Sequence, residues 1–117
     1  MSGFGGLRVL VVEDEPIVAM CLEDLLDGLG CVTIGPASRL DEGLALARAG
    51  GIDAAILDIN LGGERSTTIA EALRGQGVPF AFASGYGSVP QGFEAQPLLE
   101  KPYREAQVRT LLVRLAR

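Results

Sequence analysis

The chain alternates short apolar runs with segments whose apolar residues recur at helical spacing. The apolar runs predict strands at 7–12, 31–34, 53–58, 79–83 and 96–100. The predicted helices begin near Pro16, Leu40, Ser66 and Arg104 and end near Gly28, Gly50, Arg74 and Arg117. The run at 53–58 is apolar on both faces, which is typical of a parallel strand covered by helices on both sides. The pattern therefore predicts an α/β fold, a doubly wound five-stranded parallel sheet with right-handed crossovers.

The first predicted helix carries an apolar face next to an acidic segment. The apolar residues at helical spacing are Ile17, Met20, Cys21, Leu25 and Leu29. Because Cys21 lies on this face and Cys31 opens the second strand, both cysteines are expected as small core residues. Glu15 is expected to cap the helix, since acidic groups favour its positive end and Pro16 suits its first turn.

Composition and charge narrow the function classes. The 117 residues are 48% hydrophobic, so one domain spanning residues 1–117 with a buried core is expected. The net charge of −5 argues against nucleic acid as a direct partner. Histidine is absent, which excludes a Ser-His-Asp triad or a histidine-ligated zinc built from this chain alone. No apolar run reaches the ~20 residues that cross a bilayer, and the first six residues do not resemble a signal peptide, so a cytoplasmic location is expected.

Polar residues follow the carboxyl ends of four predicted strands. They are Glu13, Asp14 and Glu15, then Asp58, Ser84 and Lys101. Ligands of doubly wound sheets bind at this edge. Taken singly, each residue has an ordinary structural explanation: a helix cap, a turn residue or a surface lysine. Together, at one edge, they suit phosphoryl transfer to an aspartate, because clustered carboxylates bind Mg²⁺ and a lysine is a mobile point charge for phosphoryl oxygens.

Four segments then carry a family resemblance. They are Val-Val-Glu-Asp-Glu-Pro at 11–16, Ile-Leu-Asp-Ile-Asn-Leu at 56–61, Ala-Ser-Gly at 83–85 and Glu-Lys-Pro at 100–102. In this order and spacing, over essentially the whole chain, they resemble the receiver domains of bacterial two-component response regulators, which have a flavodoxin-like fold.

The resemblance implies a role for each site residue. Asp58 would accept a phosphoryl group from a phosphohistidine on a sensor histidine kinase or a histidine phosphotransfer protein. Asp14, Asp58 and the backbone carbonyl of Asn60 would ligate Mg²⁺, and Glu13 would act mostly through water. Ser84 and Lys101 would contact the phosphoryl oxygens. The phosphorylated form would switch a surface that binds an output protein, which the sequence does not identify.

The sequence also departs from the family pattern. Receivers commonly carry an aromatic residue three positions before the lysine, and here that position is Leu98. The stretch between Ser84 and Lys101 is short and rich in proline and glycine, so the fourth helix is expected to be shortened or replaced by a loop. A loop is also expected at 59–65.

The segment from Pro79 to Tyr86 is similar to the Phe-Ala-Thr-Gly-x-Tyr (FAT GUY) subgroup, with serine for threonine. That subgroup is paired with kinases of the HWE class. Tyr86 would then shield the phosphate or form part of the output surface.

Three alternatives remain at this stage. A pseudo-receiver would bind a partner protein without phosphorylation. A hydrolase or mutase that forms an aspartyl-phosphate usually needs a second aspartate two residues after the nucleophile, where this chain has Asn60. The domain could also be either a stand-alone regulator or part of a larger protein.

Overall fold

The computed structural model describes residues 4–85 and 88–116, which form a parallel sheet with helices on both faces. The elements in chain order are β1 Arg8–Val12, α1 Pro16–Gly28, β2 Val32–Ala37, α2 Leu40–Ala49, β3 Ala54–Asp58, β4 Asn60–Leu61, β5 Glu64–Arg65, α3 Thr67–Gly75, β6 Phe80–Ser84, β7 Leu98–Glu100 and α4 Glu105–Leu115. The sheet order is β2-β1-β3-β6-β7, with parallel pairing throughout. The doubly wound α/β prediction is confirmed. No described helix is long and apolar enough to span a membrane.

The core has two layers, one on each face of the sheet. Successive strand side chains point to opposite faces. Val9 and Val11 therefore belong to the layer under α1 and α4, while Leu10 and Val12 belong to the layer under α2 and α3. β3 is buried along its whole length, as its continuous apolar run predicts.

The buried face of α1 differs from the sequence prediction. The helix buries Ala19, Leu22 and Leu26. Ile17 and Met20 are 81% and 60% exposed, and Cys21 is exposed too, so its placement in the core was wrong. Two apolar stripes share this helix, and the sheet covers only one of them. Cys31 is buried, as expected.

β2 also runs further than predicted, from Val32 to Ala37 instead of 31–34. Its pairing with β1 shifts register between Ile34 and Ala37, where β2 has one extra residue. Gly35 permits this shift: its φ is +97°, and a Cβ there would lie 2.7 Å from the Ala37 nitrogen. Pro36 is tolerated because β2 is an edge strand.

In the described part of the β6–β7 connection there is no helix, which confirms the expected replacement of the fourth helix by a loop. The N–H of Phe93 donates to the Pro90 carbonyl, and the N–H of Gln96 donates to the Phe93 carbonyl. The side chain of Phe93 is buried against Phe80 and Phe82. The last strand is shorter than predicted and begins at Leu98.

Candidate functional site

The predicted cluster assembles at the carboxyl edge of the sheet. Glu13 and Asp14 follow β1, Asp58 ends β3, and Lys101 follows β7. Lys101 Nζ lies 2.7 Å from Glu13 Oε1 and 3.4 Å from Asp58 Oδ2. One carboxylate oxygen each from Glu13, Asp14 and Asp58 lies within 4.8 Å of the other two. Residues as far apart in the chain as Glu13 and Lys101 thus share one charged centre.

Ser84 joins this centre from the end of β6. Its carbonyl accepts a hydrogen bond from the N–H of Lys101 at 2.9 Å, which aligns the ends of β6 and β7. A cavity of about 390 Å³ is lined by Ser84, Asp58 and Lys101, together with Asp14 and Asn60. The structure therefore places each of these sequence-derived residues around one opening.

The central charges are largely withdrawn from solvent. Glu13 is 2% exposed and Asp58 is 8% exposed, while the side chain of Lys101 is 15% exposed. Burial raises the pKa of Asp58 to about 7, and the nearby Glu13 carboxylate adds to the rise while Lys101 opposes it. Burial alone would lower the pKa of Lys101, but its contacts with Glu13 and Asp58 outweigh that effect and raise it. The ammonium is therefore held in its charged form between two carboxylates.

Tyr103 lies close to the carboxylates of Glu13 and Asp58. Its ring is buried in the core layer under α1 and α4. Burial, followed by the negative charges of Glu13 and Asp58, raises the pKa of the Tyr103 hydroxyl. Its phenol therefore stays neutral at physiological pH.

The donor set suits a hard divalent cation. Three carboxylates supply oxygen ligands, which Mg²⁺ prefers, and the cavity leaves room for water. The raised pKa of Asp58 reports carboxylate repulsion and burial that a divalent charge would offset. Asn60 directly follows Ile59 at the start of β4 and lines the same cavity, so its carbonyl remains a predicted ligand.

The structures of Glu15 and of residues 59–65 differ from the sequence prediction. Glu15 occupies the N-cap position of α1, but its side chain makes no capping hydrogen bond; it lies 4.0 Å from Lys101 Nζ. Residues 59–65, expected as a loop, contain the β4–β5 hairpin. At its turn, the N–H of Gly62 donates to Asp14 Oδ2 at 3.0 Å. The Gly62-Gly63 pair was the signal for this turn, because both residues adopt positive φ.

Of the two predicted switch residues, Tyr86 and Leu98, the structure describes only Leu98. Tyr86 lies outside the described residues. Leu98 pairs with Phe82 across β6 and β7 and packs, half-buried, against the layer under α2 and α3. Its side chain is thus directed into the apolar layer beside the β6–β7 loop.

The fold and this edge of charged groups define a receiver domain of the response regulators. The sequence model of the response regulator receiver domain matches residues 9–112, and the chain belongs to that family.

Individual relatives are similar to this chain over most of its length. The chain is 45% identical to SdrG from Sphingomonas melonis Fr1, whose solution structure superposes with a TM-score of 0.85 over 98% of each chain. A BeF3-activated conformation of SdrG, from Pseudomonas melonis Fr1, superposes with a TM-score of 0.81 over 97% of this chain and 98% of that one, at 43% identity. The phyllosphere-induced regulator PhyR of Methylorubrum extorquens is 33% identical over 114 residues, 90% of this chain. This chain spans 42% of the length of that PhyR.

Proposed function

We propose that residues 1–117 act as one phosphoacceptor receiver domain of a two-component phosphorelay, with Asp58 as the acceptor. The observation that carries this proposal is the position of the Lys101 ammonium, 3.4 Å from Asp58 and 2.7 Å from Glu13, at the mouth of a carboxylate cavity. A purely structural ion pair would not need two further carboxylates, Asp14 and Glu15, at the same opening.

The phosphoryl donor in this reaction is a phosphohistidine on another protein. An Asp58 carboxylate oxygen attacks the phosphorus of a phosphohistidine, the P–N bond breaks, and the imidazole nitrogen keeps the electron pair. Lys101 holds the phosphoryl oxygens, and the Ser84 hydroxyl donates to one of them after transfer. Asp14, Asp58 and the Asn60 carbonyl would hold Mg²⁺, with Glu13 acting through water, and the bound ion would neutralise charge at the phosphoryl group.

The donor and the output follow from this assignment. The chain contains no histidine, so a sensor histidine kinase, of the HWE class by resemblance, or a histidine phosphotransfer protein supplies the phosphoryl group in the cytoplasm. Phosphorylation adds negative charge beside Ser84 and Lys101. We assign the output to the β6–β7 loop with Tyr86 and Leu98, because Leu98 packs beside that loop where receivers commonly carry an aromatic switch.

The test is the intact mass after incubation with acetyl phosphate, with and without Mg²⁺. The expected result is one added phosphoryl group that requires Mg²⁺ and disappears in Asp58→Asn. Asp24→Asn, which alters an exposed carboxylate on α1, is the matched control and is expected to label like the wild type. Absence of both an adduct and Mg²⁺ binding would favour the alternative, a pseudo-receiver that binds its partner without phosphorylation.

A further inference from the structure

The β4–β5 hairpin presents a second cationic side chain beside the acceptor site. Asn60 and Arg65 are direct partners in the antiparallel pair. Side chains of directly opposed residues project from the same face of such a pair. Arg65 therefore extends on the same side as Asn60, the residue two positions after the proposed acceptor.

Arg65 faces a cavity that also reaches Ser84. This cavity measures about 690 Å³ and is bordered by Asn60, Arg65 and Ser84. Asn60 and Ser84 also line the smaller cavity around Asp58 and Lys101. Because Asn60 and Ser84 line both cavities, the two cavities are neighbours at the end of β6.

The guanidinium of Arg65 is available for a new contact. Arg65 is exposed, and within residues 4–85 and 88–116 no carboxylate oxygen lies within 4.0 Å of it. Arg39, at the N-cap of α2, pairs by contrast with Asp41 of that helix, and Arg109 pairs with Glu105 within α4. A long, exposed side chain without such a pair can change rotamer at little cost.

The net negative charge around the opening favours an additional cation beside the phosphoryl group. Around the opening, four carboxylates face the single ammonium of Lys101. A phosphoryl group carries about two negative charges in place of one, so the site remains negative even beside a divalent ion. The planar guanidinium fork matches phosphoryl oxygens and donates hydrogen bonds to two of them at once.

From these observations we infer that Arg65 is a second cationic contact of the phosphoryl group on Asp58, reaching it along the cavity that Arg65 shares with Asn60 and Ser84. The inference rests on the proposed function of Asp58. Before phosphorylation the side chain is exposed; afterwards the added charge draws it over the site, and the hairpin closes one side of the pocket.

Binding of the phosphoryl mimic BeF3⁻ at a fixed Mg²⁺ concentration tests this inference, with affinity measured from amide chemical shifts. Arg65→Gln is expected to weaken binding about tenfold, the usual order for one charge-assisted contact, and Arg65→Lys is expected to fall between it and the wild type. Arg48→Gln is the matched control, because Arg48 is an exposed arginine in the last turn of α2. Mg²⁺ affinity without BeF3⁻ is expected to be no weaker in Arg65→Gln, which separates the contact from misfolding.

The outcomes distinguish the two proposals. Equal BeF3⁻ affinity in Arg65→Gln and the wild type would overturn the role of Arg65 and leave the acceptor assignment intact. An equal loss in Arg48→Gln would also overturn it, since the effect would then reflect overall charge. Failure of the wild type itself to bind Mg²⁺ and BeF3⁻ and to label with acetyl phosphate would overturn the proposed function and the inference together.

Discussion

Asp58 and Glu13 are two nearly buried carboxylates that share one ammonium. Lys101 is the only lysine in the chain, and it lies within 3.4 Å of both. Two buried carboxylates with one cation are not fully compensated, so the anionic form of Asp58 is disfavoured. Burial, together with this imbalance, raises the pKa of Asp58, and the imbalance makes the site receptive to a divalent cation.

This imbalance predicts a pH-dependent stability difference in metal-free buffer. The pKa of Asp58 rises from its ordinary 3.8 to about 7 on folding, so between these values the folded state binds more protons than the unfolded state. Its contribution to stability therefore falls as pH rises through this window and is constant above it. Asp58→Asn is expected to match the wild type near pH 4 and to be more stable at pH 8, by at most about 4 kcal/mol.

Urea unfolding in EDTA at several pH values measures this difference. Asp24→Asn serves as the control, because its carboxylate is exposed on α1. A stability difference between wild type and Asp58→Asn that does not grow between pH 4 and pH 8 would contradict the assigned electrostatics.

At the level of elements, Phe93 anchors the described part of the β6–β7 loop to the core. Phe93 packs edge-on against Phe82 and Phe80, with ring centroids 5.5 and 6.1 Å away. The guanidinium of Arg74 lies 4.1 Å from the centroid of the Phe93 ring and donates to the Gly92 carbonyl. The ring thus fills part of the layer under α2 and α3 and ties the loop to α3.

Phe93→Ala is expected to destabilise the protein by about 3 kcal/mol, because it removes a buried ring from an aromatic cluster and leaves a cavity. Urea denaturation measures the change. Gln91→Ala, at an exposed position in the same loop, is expected to change stability by less than about 0.5 kcal/mol. A loss below about 1 kcal/mol in Phe93→Ala would show that the loop relaxes around the missing ring.

On the scale of the whole molecule, the acidic opening borders an exposed apolar surface. Ile17 and Met20 lie in the first two turns of α1, shortly after Glu15, and both are exposed. In the proposed function, a protein donor must bring its phosphohistidine to Asp58, so it must cover the rim of this opening. Apolar side chains at such a rim supply contact area that a small phosphodonor does not need.

Ile17→Ser is therefore expected to slow phosphoryl transfer from a histidine kinase or histidine phosphotransfer protein that labels the wild type, by about tenfold or more. Labelling by acetyl phosphate is expected to stay unchanged. Val113→Ser on α4 is the matched control, since Val113 is also an exposed apolar residue. Equal slowing with both donors, or equal slowing in the Val113 variant, would contradict a docking role for α1.

Much of the candidate site could be predicted from the sequence because its residues end strands or directly follow them. Asp58 terminates an apolar run and Lys101 follows another, and parallel strands bring their carboxyl ends to one edge. Two features could not be predicted in this way. The exposure of Ile17 on α1 was not predicted, because helical spacing does not show which of two apolar stripes the sheet covers. The placement of Arg65 depends on a hairpin register between residues in a segment that was expected to be a loop.

The amino-acid sequence alone determined the order of the four helices and the five sheet strands along the chain, the doubly wound sheet and the family, because local periodicity and the position of polar residues at strand ends are properties of short segments. Only the tertiary structure decided which face of α1 is buried, how the hairpin sets Arg65 opposite Asn60, and how far the pKa of Asp58 rises. The reason is physical: burial and electrostatic energy are sums over neighbours that are distant in the chain. Lys101 Nζ and Asp58 Oδ2, for example, are 3.4 Å apart, and only the packed fold brings these two atoms together.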